Sequence, residues 1–174
     1  MLPMLHEDPM KWQANLPDVN TATKVYAPSG CDCTKTDFST DVDKLILQKR
    51  INYIYPGVAN TYRATGGRSS SEEHAPFFNV FKNDTGYIFA IGWSGQWTCS
   101  IGRTEEEVIF NSKIEDTNFK LLPGEKFRTS SVVIMPYEGN LTASHNKWRR
   151  LVKEHFSLIG KEGREKYGPL CSSI

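Results

Sequence analysis

The 174 residues hold 21 Lys plus Arg against 20 Asp plus Glu, a formal net charge of +1, which gives no electrostatic ground for a nucleic-acid or anionic-membrane partner. A single domain of this length buries about 70% of the surface its unfolded chain exposes, so a core forms without staples. The cysteines Cys31, Cys33, Cys99 and Cys171 lack the Cys-x-x-Cys spacing that lets two thiolates grip one zinc, so they are read as free thiols with no metal and no cofactor.

Residues 1–22 are rich in Pro and Asp, with scattered apolar residues and no apolar h-region. They read as an irregular segment, neither signal peptide nor membrane span, which points to a reducing, cytoplasmic setting. From 23 to 139, short apolar or alternating runs punctuated by Gly, Pro, Asn and Asp give an all-β signal. The runs are 23–27, 45–55, 61–65, 77–82, 87–93, 97–101, 108–111, 118–121 and 127–135.

Asn83-Asp84-Thr85-Gly86 predicts a hairpin between 77–82 and 87–93. With Ser94-Gly95 before the run opened by Trp97, the three runs suggest a meander. Leu122-Pro123-Gly124-Glu125 has the chemistry of a type II turn, and the run Thr104 to Glu107 reads as a solvated turn. Strict alternation in 87–93 leaves both faces of that strand apolar, as in a strand buried between two layers. Trp93 and Trp97 are accordingly read as packing residues at a tight corner, with Gln96 satisfying polar groups there.

The period then changes. Trp148, Leu151, Val152, His155, Phe156 and Ile159 fall on one face of a helix predicted over 140–160, with Asn140 or Thr142 as cap and Gly160 as stop. Residues 161–174 are polar and read as a linker. The fold expected is mainly β: an antiparallel β-sandwich of supersandwich type with one C-terminal amphipathic helix.

No catalytic constellation emerges from the residues: no Gly-x-Ser-x-Gly, no phosphate-cradling loop, no evident carboxylate pair. The stretches GGRSSSEEHAPFF (66–78), GYIFAIGWSGQW (86–97), LLPGEKFRTSSVVIM (121–135) and HNKWRRLVKEHF (145–156) nonetheless follow an order and spacing that resembles the N-terminal β-sandwich of family 36 glycoside hydrolases, the α-galactosidase group. PSGCDCTKTDFST (28–40) looks like a loop of the same domain, and the resemblance spans roughly 22 to 160.

The resemblance implies a retaining hydrolase of terminal α-galactosides whose two catalytic aspartates belong to a (β/α) barrel that this sequence lacks. The chain alone is therefore expected to be an inactive, non-catalytic sandwich. Its implied partners are the missing barrel or a neighbouring subunit, the α-galactoside held by the whole enzyme, and further copies in a homo-oligomer.

Sandwich loops of that family reach over the barrel mouth, which makes Asp32, Asp37, Phe38 and Arg68 the candidate carbohydrate-binding residues. Asp32 and Asp37 would accept from sugar hydroxyls, Arg68 would donate, and Phe38 would stack on a pyranose face. Each has a plainer reading: acids in loops cap turns, and Arg68 stands near Glu72 and Glu73 as ion-pair partners. A free-standing carbohydrate-binding sandwich and a structural interaction module are the alternatives. The helix and polar tail favour a sandwich that feeds a barrel.

Overall fold

The computed structural model describes residues 11–17, 23–31 and 51–157. Among the described residues, nine strands form two antiparallel sheets with one helix behind them, the mainly β sandwich expected. The strands are β1 (Lys11–Pro17), β2 (Thr23–Tyr26), β3 (Ile51–Ile54), β4 (Ala59–Arg63), β5 (Phe77–Lys82), β6 (Thr85–Gly92), β7 (Trp97–Arg103), β8 (Glu107–Ile114) and β9 (Ser131–Glu138). One sheet runs β1-β8-β7-β4 and the other β3-β2-β5-β6-β9.

Alternating side chains from both sheets meet in a core that includes Val25, Ile54, Phe78, Phe89, Trp97, Ile101 and Phe110. The rings of Phe89 and Phe110 stack across it at 4.4 Å and 2°, and Phe78 meets Trp97 edge-on at 5.6 Å. Cys99 lies in the same core at 1% exposure, and burial pushes its thiol well above the ordinary range.

The hairpin at 83–86 forms as the turn chemistry requires. Lys82 pairs with Thr85, so Asn83 and Asp84 make a two-residue loop, and Asn83 takes φ 51°, a left-handed conformation asparagine tolerates. Gly124 sits at φ +90° while Glu125 N donates to Leu122 O at 3.0 Å, as a type II turn demands. Thr104 to Glu107 close the β7–β8 hairpin, with Thr104 Oγ1 accepting from the amides of Glu106 and Glu107. On β6, Ile88, Phe89, Ala90 and Ile91 are all buried: one face meets the opposite sheet and the other lies beneath the helix.

Four expectations need correction. The N-terminal segment is not wholly irregular, because β1 pairs with β8 from Lys11↔Lys113 to Pro17↔Glu107. Its register sets Trp12, Ala14 and Leu16 opposite Ser112, Phe110 and Val108, three buried positions of β8. The three-strand meander does not form, because β5 and β6 belong to one sheet and β7 to the other; residues 93–96 carry the chain across.

The run 118–121 is exposed and not a strand. It finds no partner strand among the described residues, and Phe119 instead packs on Phe127 at 4.6 Å between centroids, so β9 begins only at Ser131. The helix is also shorter than 140–160: α1 (Leu141–Leu151) continues as one π turn, Val152–Phe156, and Ser157 is extended. Residues 45–50, Ile159, Gly160 and 161–174 lie outside the described residues.

Asn140 caps α1, its Oδ1 accepting from Ala143 N at 2.9 Å. The buried residue of the helix is Ser144. Tyr137 on β9 donates to Asn79 Oδ1 at 2.7 Å; Asn79 Nδ2 donates to Ser144 Oγ at 2.9 Å, and Ser144 donates to Leu141 O at 2.7 Å. This directed chain ties helix to sheet while satisfying the hydroxyl and amide groups it buries. Burial pushes the Tyr137 phenol up, and the bonds with Ser144 and Asn79 pull it partly back.

Candidate functional site

Two loops at one end of the sandwich are joined backbone to backbone. Gly30 N donates to Glu73 O at 3.3 Å, Cys31 N to Ser70 O at 2.6 Å, Glu72 N to Cys31 O at 3.2 Å and Ala75 N to Pro28 O at 3.0 Å. Gly30 permits this approach, since a Cβ there would stand 2.2 Å from Glu72 O. Residues 28–31 and the 68–74 loop are therefore neighbours.

The corner at 93–97 carries the second loop. Gly67 N donates to Gln96 Oε1 at 3.0 Å, Ser69 N to Ser94 O at 3.2 Å and the indole of Trp97 to Ser69 O at 2.8 Å. Trp97 is fully buried and holds the loop through its one polar atom. Gln96 satisfies the loop backbone in the role read for it.

Trp93 differs from Trp97. It packs on the edge of the core but is only half-buried, and its ring lines an open groove of about 610 Å³ between the 69–77 loop, the ends of β6 and β9, and the helix. Trp148, Phe77 and Phe156 add rings, with Phe77 and Trp148 in contact at 5.6 Å. Ser69, Ser70, Ser94 and Ser131 contribute hydroxyl-bearing positions, and none of the lining residues is charged or a histidine. Such a surface suits apolar or stacked groups.

His155, expected on the packed side of the helix, is exposed in the π turn, and Phe156 is 56% exposed. Phe156 still lines the groove beside Trp148 and Val152.

Of the four predicted sugar-contacting residues, Arg68 is exposed next to the groove residue Ser69 in sequence, its backbone pinned by Ser71 Oγ, which accepts from Arg68 N and donates to Arg68 O. Asp32, Asp37 and Phe38 lie outside the described residues. The ion pairing foreseen for Arg68 goes elsewhere: Glu73 pairs with Arg63 at 3.1 Å, and Glu72 accepts from Thr65 Oγ1 at 2.6 Å. Arg63 holds the Glu73 carboxyl below its ordinary value. His74, half-buried against the Tyr62 ring at 5.2 Å, accepts no easy charge, and burial lowers its pKa.

Sequence reasoning missed Trp148 and Phe77 as groove walls because an aromatic at helical or strand spacing reads as core. A further signal was present. Every residue that lines the groove falls within the four stretches 66–78, 86–97, 121–135 and 145–156.

No protein-family model matches the chain, and no curated protein matches it at a significant level. Among the described residues, no helix is long and apolar enough to cross a membrane.

Proposed function

We propose that this chain is a non-catalytic β-sandwich module of an α-galactosidase-like glycoside hydrolase, which positions a separate catalytic barrel. The observation that supports the reading is the convergence of all four family-like stretches on one groove. Segments far apart in sequence share a surface most simply when that surface has a common task. The groove's uncharged lining suits packing or stacking, and it offers no pair of carboxylates for glycoside cleavage.

Arg68, together with Asp32, Asp37 and Phe38 of the sequence that follows Cys31, is the proposed contribution to the sugar site of the whole enzyme. Under this reading the substrate is a terminal α-galactoside, and the partner is the barrel of the same enzyme or of a neighbouring copy.

The test is complementation. The chain is co-expressed with a family 36 α-galactosidase lacking its own sandwich, and hydrolysis of an aryl α-galactoside is followed. Restored turnover, with none from the chain alone, supports the module role. Turnover by the repurified chain alone, or no restoration by soluble, folded chain, overturns it.

A second reading, a free-standing carbohydrate-binding sandwich, draws on the half-exposed rings of Trp93 and Trp148 beside serine hydroxyls. It requires raffinose or galactose to perturb the tryptophan emission of the isolated chain, and loss of that response in Trp93→Ala.

A further inference from the structure

β9 is the edge of its sheet: β6 pairs with one side of it, and among the described residues no strand pairs with the other. Of the other edge strands, β3 has four residues, β4 reads Ala-Asn-Thr-Tyr-Arg and β1 alternates apolar with polar residues. β9 has eight, with the run Val132, Val133, Ile134 and Met135 half-buried at its middle, the kind of edge that natural sheets cover or blunt.

The free side can be assigned residue by residue. Gly139 N donates to Asp84 O at 2.7 Å, beside the hairpin that opens β6. Backbone groups alternate along a strand, so residues 131, 133, 135 and 137 bond β6, while Val132, Ile134 and Pro136 turn theirs outward. Pro136 fits this placement, because its nitrogen has no hydrogen to give β6. The helix leaves the edge open: its rings meet Tyr26 on β2 and Phe77 on β5, two or more strands inward.

We infer that β9 pairs antiparallel with β9 of a second copy about a two-fold axis at Val133, joining the two five-stranded sheets into one. In that register Val132 of each copy faces Ile134 of the other, and both turn N–H and C=O outward, so the two residues exchange both backbone bonds. Registers displaced toward Glu138 set Val132 or Ile134 against Pro136, which has no N–H. Displaced the other way, they run off the strand at Ser131.

The same register lays Arg128 opposite Glu138 of the other copy, at both ends by symmetry. Both residues are exposed, and neither has an ion-pair partner among the described residues. Glu138 O already accepts from Lys147, so beyond Pro136 the contact is between side chains. Opposite charges at the two ends of a self-pairing strand favour a second copy over an unrelated strand. Val133 also lines the Trp93–Trp148 groove, so the axis brings the two uncharged grooves side by side.

The experiment is sedimentation equilibrium of the chain over a concentration series, with charge swaps at the exposed pair. The parent is expected to dimerise. Arg128→Glu or Glu138→Arg sets like charges opposite one another and weakens the dimer at least roughly tenfold, and the double variant Arg128→Glu, Glu138→Arg restores it. Circular dichroism checks that each variant keeps the fold. Val133→Cys, beside its own symmetry mate, is expected to give a disulfide-linked dimer under mild oxidation faster than Met135→Cys or the parent, whose own cysteines set the background.

A parent that stays monomeric up to about 200 μM, whether or not its edge takes a strand from another protein, overturns the inference. So does a dimer indifferent to the single swaps, a folded double variant no better than the singles, or cross-linking no faster at 133 than at 135. The dimer is read on the chain alone, so its failure leaves the complementation result untouched, and failure of complementation leaves the dimer standing.

Discussion

The two ends of the helix are held to the sandwich by different physics. At its start, Asn140 caps the first turn, Tyr137, Asn79 and Ser144 form a directed hydrogen-bond chain, His145 packs on Tyr26 at 5.1 Å, and Lys147 Nζ donates to Glu138 O at 2.8 Å. At its end the backbone loosens into a π turn with no buried residue, and aromatic rings stand over an open groove. Directional bonds to buried groups fix one geometry; apolar contact along an open trough leaves surface for a partner. The helix is thus anchored where it enters and receptive where it leaves.

That contrast can be broken by mutation, beginning beneath the receptive end. Trp97→Ala removes the largest core side chain and the donor to Ser69 O, and is expected to cost about 3–5 kcal/mol in chemical denaturation. Trp93→Ala, half-exposed on the groove wall, should cost only about 1 kcal/mol; equal losses would mean that the two indoles share one environment. At the anchored end, Tyr137→Phe leaves Asn79 Oδ1 buried without its donor and should cost about 1–3 kcal/mol.

Asn140→Ala should cost about 1 kcal/mol by uncapping the helix, and Phe156→Ala less than about 0.5 kcal/mol. Hydrogen exchange gives the same ordering without substitution: amides of 152–156 should exchange well before those of 144–148. The reverse order would remove the asymmetry.

The smallest expected effect is a pH dependence. Burial holds the His74 pKa in the folded chain below the ordinary 6.5, so the unfolded chain binds the proton more readily. The stability this contributes is present above 6.5 and declines as pH falls through the lower folded value. The denaturation midpoint of the parent should therefore fall relative to that of His74→Gln as pH drops below 6.5; a parent that gains on the variant in acid would contradict this account.

What could be read in the sequence was whatever local chemistry decides. The hairpin at 83–86, the turn at 122–125, the Asn140 cap and the two-sided burial of β6 each depend on a few neighbouring residues, and all are present. What depended on distant partners was not legible. Trp12, Ala14 and Leu16 do alternate with polar residues, but only β8 makes a strand of that alternation. Ser94 and Gly95 looked like the turn of a meander; they are the crossing between sheets, because the core needs Trp97 and Cys99 on the opposite layer. Ser144 gave no apolar signal at all, since its role is to accept from Asn79.

The site divides in the same way. Trp97 was rightly read as packing, and its indole also holds Ser69 of the neighbouring loop. Trp93 was not wholly packed, because a ring at the end of a strand has no next residue to cover it. Arg68 is exposed next to the groove residue Ser69 in sequence, but its expected partners Glu72 and Glu73 had nearer ones in Thr65 and Arg63.

The burial of Cys99 has a use beyond packing. A thiol at 1% exposure, held in its unreactive protonated form, can be alkylated only when the two sheets part. Its labelling rate in native buffer is therefore a built-in clock for whole-sandwich opening, and a bound partner that clamps the layers together would slow that clock without touching the sulfur.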